Sequence, residues 1–282
     1  MKICHNYLVI IVLALSFVLG GCSQDVSTSN ESQLVVEGWI DAGGFPIVKL
    51  TKTIPLGKDE LSLDSLSRYM DRWAKVTISD GERTEVLAGR YDKRYFPPFI
   101  YTTYDMRGVE GREYALRVEA SDGKVAKTRI PVSAKIDSFR VEPTDVDSLF
   151  QLYAYTSYRG KCKLFTQTVG SQNEMYSAEL GLFDDGMIGE EGRISVKRGR
   201  DNLQKDFTPF FKENEIVRVK FSSLGEEGYA FWRSFEDMAA LSRIPLMPVN
   251  SNLKSNVQGA LGYWLGYGSS FYEVRIKVTS GR

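Results

Sequence analysis

Histidine is almost absent from this chain, and cysteine is scarce. The sequence holds one histidine, His5, and three cysteines, Cys4, Cys22 and Cys162. Serine and cysteine nucleophiles of the usual kind need an imidazole to accept their proton, and zinc sites of the Cys/His type need several such ligands. His5 and Cys4 lie ahead of an apolar segment at the amino end. If that end is removed, the chain can form neither a histidine-dependent nucleophilic site nor a Cys/His zinc site.

The apolar run at the amino end is too short to cross a bilayer. It extends from Leu8 to Gly21, whereas a membrane-spanning helix needs roughly 20 residues. Lys2 supplies a positive region ahead of it, and the two glycines at its end supply the small residues that a signal peptidase requires. We therefore predict a secretory signal peptide over residues 1–21, whose removal takes away the only histidine.

The segment LGGC, which ends at Cys22, resembles a bacterial lipobox, in which the cysteine thiol is lipidated and becomes the first residue of the mature chain. The stretch from Ser23 to Ser32 is almost entirely polar, which is typical of a flexible tether over residues 22–33. An ordinary signal peptide with a chance cysteine is the alternative, and it leaves this polar stretch unexplained. We predict lipidation of Cys22 and attachment to a membrane through that lipid.

The folded region then keeps a single thiol, Cys162. No intramolecular disulfide can form, although export permits disulfides, so stability has to come from buried apolar area. Strand alternation places Cys162 on the same face as Leu164, which predicts an inert buried thiol. The alternative is a low-pKa thiol favoured by Lys161 and Lys163, and fast labelling of the native protein would contradict burial.

An excess of either charge is also missing. The chain has 36 basic and 36 acidic residues, so no nucleic-acid partner is predicted. The densest basic cluster, Lys197 to Arg200, is flanked by acidic residues and is expected on a solvated hairpin. The acidic stretches at Asp145 to Ser148 and Phe183 to Glu191 lack EF-hand spacing, and we predict neither a metal nor a cofactor.

Alternating hydrophobicity dominates the sequence from Leu34 onward. Short apolar runs of period two are separated by turn residues at roughly 8–15-residue intervals, which indicates an all-β sandwich or barrel. The seven predicted strands in the first half are residues 34–41, 46–53, 74–80, 84–89, 99–105, 113–120 and 125–132. They predict an immunoglobulin-like sandwich over residues 34–134, with hairpin turns at Asp80-Gly81 and Asp122-Gly123. Tyr114 is either a tyrosine corner or an ordinary strand tyrosine.

The second half predicts a further β domain over residues 135–282, either a sandwich or barrel-like. One helix interrupts its strands near residues 224–242. Ser223 and Glu226 fit a capping box, and Phe231, Phe235 and Met238 recur at helical spacing. We expect Ile244-Pro245 to end this helix and its apolar stripe to pack against the sheet.

Aromatic side chains surround a double proline, Pro97-Pro98, which excludes a regular central strand at that point. The nearby Tyr95, Phe96, Phe99 and Tyr101 are the candidate contacts to a ligand or a partner. Displayed on a stiff loop, they could stack on sugar rings or anchor a protein partner. The alternative is that they pack onto the sandwich.

Six segments follow one another after the tether in an ordered series: QLVVEGWID, FPIVKLTKTIPL, AKVTISDG, VEGREYALRVEASDG, IPVSAKIDSF and MPVNSNLKSNVQGALGYWLGYG. In order and spacing they resemble the exported bacterial lipoproteins of domain of unknown function 4249, over residues 33–280. The resemblance implies a Gram-negative outer membrane and association with TonB-dependent transporters, and it carries over no catalytic residue. Surface-exported relatives often have several acidic residues after the lipidated cysteine, whereas only Asp25 follows here.

The expected function is therefore that of a non-catalytic binding or accessory lipoprotein, anchored in the outer membrane and facing either the surface or the periplasm. It would act with a TonB-dependent transporter in nutrient uptake and take a glycan or a peptide. A structural or adhesive surface protein is the first alternative. A carboxylate-based glycan enzyme is the second, because a pair of acidic residues can hydrolyse glycosides without a histidine.

Overall fold

The structure is a computed structural model that describes residues 32–53, 68–119, 124–200, 207–241 and 253–277. Over these residues the chain forms fifteen strands and one α-helix. In chain order the elements are β1 Leu34–Asp41, β2 Ile47–Lys52, β3 Lys75–Ser79, β4 Thr84–Tyr91, β5 Phe99–Thr102, β6 Glu113–Glu119, β7 Lys124–Arg129, β8 Ser138–Pro143, β9 Leu149–Tyr155, β10 Cys162–Thr168, β11 Tyr176–Phe183, β12 Arg193–Val196, β13 Phe211–Lys212, β14 Ile216–Ser223, α1 Glu226–Leu241 and β15 Leu261–Arg275.

The first seven strands form an immunoglobulin-like sandwich. Their order is β1-β2-β5-β4 followed by β3-β6-β7, which matches the two sheets of a constant-type immunoglobulin domain. β3 also pairs with β4, so the two sheets are continuous. In β6 the side chains of Leu116 and Val118 are buried while Arg117 is exposed, as alternation requires. The predicted all-β sandwich and its seven strands are confirmed, with ends that differ by a few residues.

Tyr114 occupies a tyrosine corner at the start of β6. Its hydroxyl donates to the carbonyl of Arg107 at 3.0 Å and accepts from the amide of Val109 at 2.9 Å. The phenol therefore ties the preceding turn to the strand, which decides between the two interpretations of the sequence. The turn at Asp80-Gly81 is also present between β3 and β4, where the Asp80 carboxylate accepts from the amide of Arg83.

Strand β15 connects the two halves of the chain. From Leu261 to Tyr267 it pairs in parallel with β1, and from Gly268 to Arg275 it pairs antiparallel with β14. One sheet of eleven strands consequently runs from β11 through β10, β14, β15 and β1 into the first sandwich. Trp264 of β15 is fully buried in the first core, where its indole nitrogen donates to the carbonyl of Tyr114 at 3.0 Å.

A second sandwich lies beyond β15. Strand β9 pairs with β8, β12 and β13, and the buried side chains of this sheet form one core with those of β10 and β14. Leu152, Ile194 and Phe211 contribute from one sheet, and Leu164 and Phe221 contribute from the other. Each sandwich thus has its own apolar core, although they share the strand β15.

Helix α1 packs on the face of the large sheet opposite this second core. Phe231 and Trp232 are buried in a cluster with Phe165 and Leu265, which confirms the predicted helix and its packing on the sheet. The predicted Ser223 cap is wrong. Ser223 is the last residue of β14, so it cannot also be the residue that caps the helix. Its hydroxyl donates to the carbonyls of Val132 and Gly268 instead.

Several predictions lie outside the described residues. They are the signal peptide over residues 1–21, the lipidated Cys22 with residues 22–31 of the tether, the turn at Asp122-Gly123 and the helix end at Ile244-Pro245. The domain boundary at residue 134 stays a prediction, and the sheet continues across it through β15. Among the described residues no helix combines the length and the apolar character that a membrane span needs.

Candidate ligand-binding cleft

A large cleft lies between the outer face of the eleven-stranded sheet, the loop from β4 to β5, the loop from β10 to β11, and helix α1. We call it the sheet–helix cleft, and its volume is about 1060 Å³. That volume is slightly above the roughly 300–1,000 Å³ of small-molecule sites. Of the lining residues that the structure describes, twelve are aromatic: Trp39, Phe45, Tyr95, Phe96, Tyr104, Phe165, Tyr176, Trp232, Phe235, Tyr263, Tyr267 and Phe271.

Strand alternation forms the floor of the cleft. In β1 the side chains of Val36 and Ile40 enter the first core, while Glu37, Trp39 and Asp41 line the cleft. The same period continues along β2 and β15, so one face of the sheet is presented to the cleft. The sequence pattern predicts that this face of β1 and β2 is exposed to solvent. In the structure it is partly enclosed by the β4 to β5 loop, and by the β10 to β11 loop and helix α1 from the second half.

Lys49 is a polar centre on the β2 part of the floor. Its ammonium lies 2.9 Å from Glu37 and 3.7 Å from Glu174, and it donates to the carbonyl of Phe96 at 3.2 Å. The Glu174 carboxylate in turn accepts from the amide of Phe96 at 3.2 Å. Burial lowers the pKa of Lys49, but the two carboxylates outweigh it and raise the pKa above the ordinary value. Lys49 therefore joins β2 to both loops that border the cleft.

Lys220 forms a second buried pair on the floor. Its ammonium lies 2.6 Å from the Asp41 carboxylate, which also accepts from the hydroxyl of Ser269 at 2.6 Å. The rings of Tyr267 and Phe165 surround the ammonium, with centroids at 4.3 and 5.0 Å. Burial lowers the pKa of Lys220, and the attraction of Asp41 offsets only part of this effect.

Lys163 fixes helix α1 to the sheet. It is fully buried on β10, where its ammonium contacts the Glu236 carboxylate of the helix and lies 4.9 Å from the centroid of the Trp232 ring. Burial lowers the pKa of Lys163, while Glu236 opposes the shift. Trp232 also donates to the hydroxyl of Tyr267 at 2.9 Å. The helical wall of the cleft is thus held by a charged pair and a hydrogen bond as well as by apolar packing.

The charges that line the cleft balance. Among the described residues, the lining has six basic and six acidic side chains, namely Lys49, Arg90, Arg94, Arg200, Arg218 and Lys220 against Glu37, Asp41, Asp92, Glu174, Glu179 and Glu236. The buried ammonium groups of Lys49 and Lys220 both contact carboxylates of this set. The described part of the cleft therefore offers polar groups without a net field that would attract an ion of either sign.

The structure separates the four residues predicted as contacts. Tyr95 and Phe96 line the cleft, and the Tyr95 ring lies 6.0 Å from that of Trp39. Phe99 and Tyr101 point to the opposite face of β5 and pack in the first core, since alternation there turns Ile100 and Thr102 toward the cleft. The Tyr101 hydroxyl is used internally, donating to the carbonyl of Asp71. Whether Tyr95 and Phe96 contact a ligand stays a prediction.

Sequence reasoning missed the polar residues of the cleft. Lys49 and Lys220 occur in strands at positions that alternation assigns to solvent, and Glu174 lies in a loop without a motif. The one usable signal was Trp39, a large aromatic side chain on the outward face of a strand whose other face is apolar. Nothing local in the sequence connects it to Tyr95.

The remaining candidate sites have structural roles. Cys162 is buried, and burial with the nearby Asp185 and Asp184 raises the pKa of its thiol to about 12, as expected of an inert thiol. In the basic cluster at 197–200, Arg198 is buried and its guanidinium lies 2.7 Å from Glu215, so the expected solvated hairpin is wrong at that residue. Over the described ranges no group of three or more Cys, Asp or Glu side chains is arranged to hold a metal ion.

The fold and the cleft define an all-β protein of two sandwiches joined by one strand, with an aromatic cleft between a sheet and a helix. The chain belongs to the family described as Domain of unknown function (DUF4249), whose sequence profile matches residues 22–272. A search of curated proteins gave no match. The family resemblance predicted from the sequence is therefore confirmed, and the family's description assigns no activity.

Proposed function

We propose that this chain is a non-catalytic binding lipoprotein of the outer membrane, which captures a nutrient in the sheet–helix cleft for a TonB-dependent transporter. The observation that carries the proposal is the cleft itself. It has a volume of about 1060 Å³, and a third of the described residues that line it are aromatic. Binding sites are typically concave and rich in aromatic side chains that surround a few fixed polar groups.

The pairing of the cleft carboxylates supports binding over catalysis. Glu37, Asp41 and Glu236 each contact a lysine ammonium. The two carboxyl groups of a glycosidase must face the scissile bond of the substrate, whereas each of these three is engaged by a lysine on another strand or on the sheet beneath the helix. These three acidic residues are thus arranged to fix side-chain positions and to accept hydrogen bonds.

Attachment and partner are tested in membranes. The full chain and a Cys22→Ser variant are expressed in a Gram-negative host that processes lipoproteins, and the membranes are separated. The native chain is expected in the outer-membrane fraction with lipid at Cys22, and the variant is expected to lose that attachment. Recovery of an unmodified chain that begins at Met1 would overturn the anchor.

The transporter is tested by purification from detergent-solubilised outer membranes of the native organism. We expect a TonB-dependent transporter to co-purify with the tagged chain, and we expect gene deletion to reduce nutrient uptake. Absence of any such transporter under mild crosslinking would count against the accessory role. Protease treatment of intact cells separates surface exposure from a periplasmic position, since only a surface chain is cleaved.

A further inference from the structure

We infer that the ligand of the sheet–helix cleft is an uncharged oligosaccharide, an inference that rests on the proposed binding function. Four observations carry it: the aromatic lining, the balance of charge, an unpartnered hydroxyl group, and the position of the floor strands inside the sheet. Each of them restricts the chemistry of the ligand in a different way.

The aromatic lining favours flat rings with an apolar face. The π-face of an aromatic ring is electron-rich, and a pyranose ring presents C–H groups on one face and hydroxyls around its rim. Tyr104 and Phe271 line the cleft with 56% and 55% of their surface exposed, and Trp39 with Tyr95 forms a half-buried pair. These side chains offer stacking surfaces that are large enough for several rings in a cleft of about 1060 Å³.

The balance of charge disfavours an ionic ligand. The described lining carries equal numbers of basic and acidic residues, and its buried cations at Lys49 and Lys220 are already compensated by Glu37 and Asp41. An anionic ligand that bound at either of these two lysines would have to displace its carboxylate, and leaving a buried charge unpaired is costly. A neutral ligand needs no such exchange.

Thr102 marks a polar contact inside the cleft. It is 4% exposed and lines the cleft, and its hydroxyl is the one buried side-chain polar atom without a hydrogen-bond partner in the described part of the chain. A buried hydroxyl that stays unpaired costs about 1–3 kcal/mol. The Thr102 oxygen is itself inaccessible to solvent, so a ligand hydroxyl, which can both donate and accept, would reach it only after the side chain rotates to turn its hydroxyl toward the cleft.

The floor strands disfavour an extended peptide. Strands β14, β15, β1, β2 and β5 each have a neighbour on both sides in the sheet order, so their backbone groups are engaged in the sheet. Peptide recognition by strand addition needs a free sheet edge. The edge strand β11 also lines the cleft, but its outer side is bonded to the segment from Arg198 to Arg200. A peptide bound there would have to satisfy its own backbone groups through side chains alone.

The test is calorimetric titration of the mature chain with defined probes. Cellohexaose, xylohexaose, maltohexaose and mannohexaose serve as neutral oligosaccharides, oligogalacturonate serves as an anionic one, and a tryptic digest of casein serves as the peptide probe. At least one neutral oligosaccharide is expected to bind, and oligogalacturonate is expected to bind at least about tenfold more weakly, which corresponds to 1.4 kcal/mol.

Variants locate the site. Tyr104→Ala and Phe271→Ala are each expected to weaken binding about tenfold without lowering the melting temperature, since both side chains are exposed. Tyr91→Ala is the matched control, because Tyr91 is 65% exposed and lies outside the cleft lining.

Thr102→Val keeps the shape and removes the hydroxyl, and it is expected to weaken binding about fivefold while stability is unchanged or higher. Thr77→Val on β3 is its control.

The outcomes separate the inference from the proposed function. Failure of every neutral oligosaccharide to bind overturns the inference, and so does tighter binding of casein peptides that depends on Tyr104 and Phe271. In that second case the cleft remains a binding site and the proposed function stands. Loss of the transporter interaction with intact oligosaccharide binding would overturn the transport role alone.

Discussion

Lys49 is the residue that links three parts of the cleft. Its ammonium contacts Glu37 on β1, Glu174 in the β10 to β11 loop, and the carbonyl of Phe96 in the β4 to β5 loop. Lys49→Met removes these contacts and takes away the ammonium between Glu37 and Glu174, two carboxylates that are both partly exposed. Because the loss of one partner of an ion pair is less costly when the other can be hydrated, we expect the free energy of unfolding to fall by about 1–3 kcal/mol, measured by urea denaturation. Lys52→Met, at an exposed lysine of the same strand, is the control.

The pH dependence of this contribution follows from the raised pKa of Lys49. A group whose folded pKa lies above its unfolded value stabilises the fold fully below the unfolded pKa, and the contribution disappears as pH rises through the folded value. The difference between native chain and Lys49→Met should therefore be full near neutral pH and shrink only at strongly alkaline pH. A difference that instead vanishes when pH rises from 6 to 8 would contradict the assigned ion pairs.

Gly262 is a position at which the backbone conformation and the close packing allow only glycine. Its φ is 103°, and a Cβ at this position would lie 1.9 Å from the carbonyl oxygen of Val36. Gly262→Ala is expected to cost more than about 4 kcal/mol, because β15 could no longer approach β1. Gly81→Ala has a similar positive φ but no atom near the added methyl, so it should cost only about 1 kcal/mol. Equal losses in thermal denaturation would contradict the close approach.

At the scale of elements, helix α1 is held to β10 by the charged pair of Lys163 and Glu236. Glu236→Gln keeps the size of the side chain and leaves the buried ammonium of Lys163 without its counter-ion, so we expect a loss of about 3–5 kcal/mol. Asp237→Asn removes an exposed carboxylate from the same turn and should change stability by less than about 0.5 kcal/mol. Denaturation followed by tryptophan fluorescence measures both, and similar values for the two variants would exclude the pair as the anchor.

The elements of the first sandwich could be predicted from the sequence, whereas the cleft could not. Alternation identifies a strand such as β6 because the distinction between Leu116 and Arg117 is local, and the tyrosine corner depends on a short turn. The contact of Phe96 with Glu174 joins residues 78 positions apart. The hydrophobic pattern of either segment gives no information about this contact. The Ser223 cap failed for a related reason, since the pairing of Ser223 with Gly268 in β15 extends the strand through the capping position.

At the scale of the whole molecule, β15 makes the two sandwiches depend on one another. The first sandwich obtains from β15 a parallel partner for β1, from Leu261 to Tyr267, and the fully buried Trp264, which bonds the carbonyl of Tyr114. A buried aromatic side chain contributes about 3–5 kcal/mol, which is a large share of the stability of a domain of this size. The first sandwich alone would therefore lack part of its core and one neighbouring strand.

This dependence predicts that residues 33–134 do not fold by themselves, although strand count and length suit an independent immunoglobulin-like domain. The isolated fragment is expected to show no cooperative urea transition, while the mature chain shows a single one. The same fragment joined through a flexible Gly/Ser linker to residues 253–267 regains Trp264 and the partner strand of β1, and it should recover a cooperative transition. A cooperative transition in the fragment without the added strand would show that β1 and the first core are stable without β15, and would establish the boundary at residue 134 as a true domain boundary.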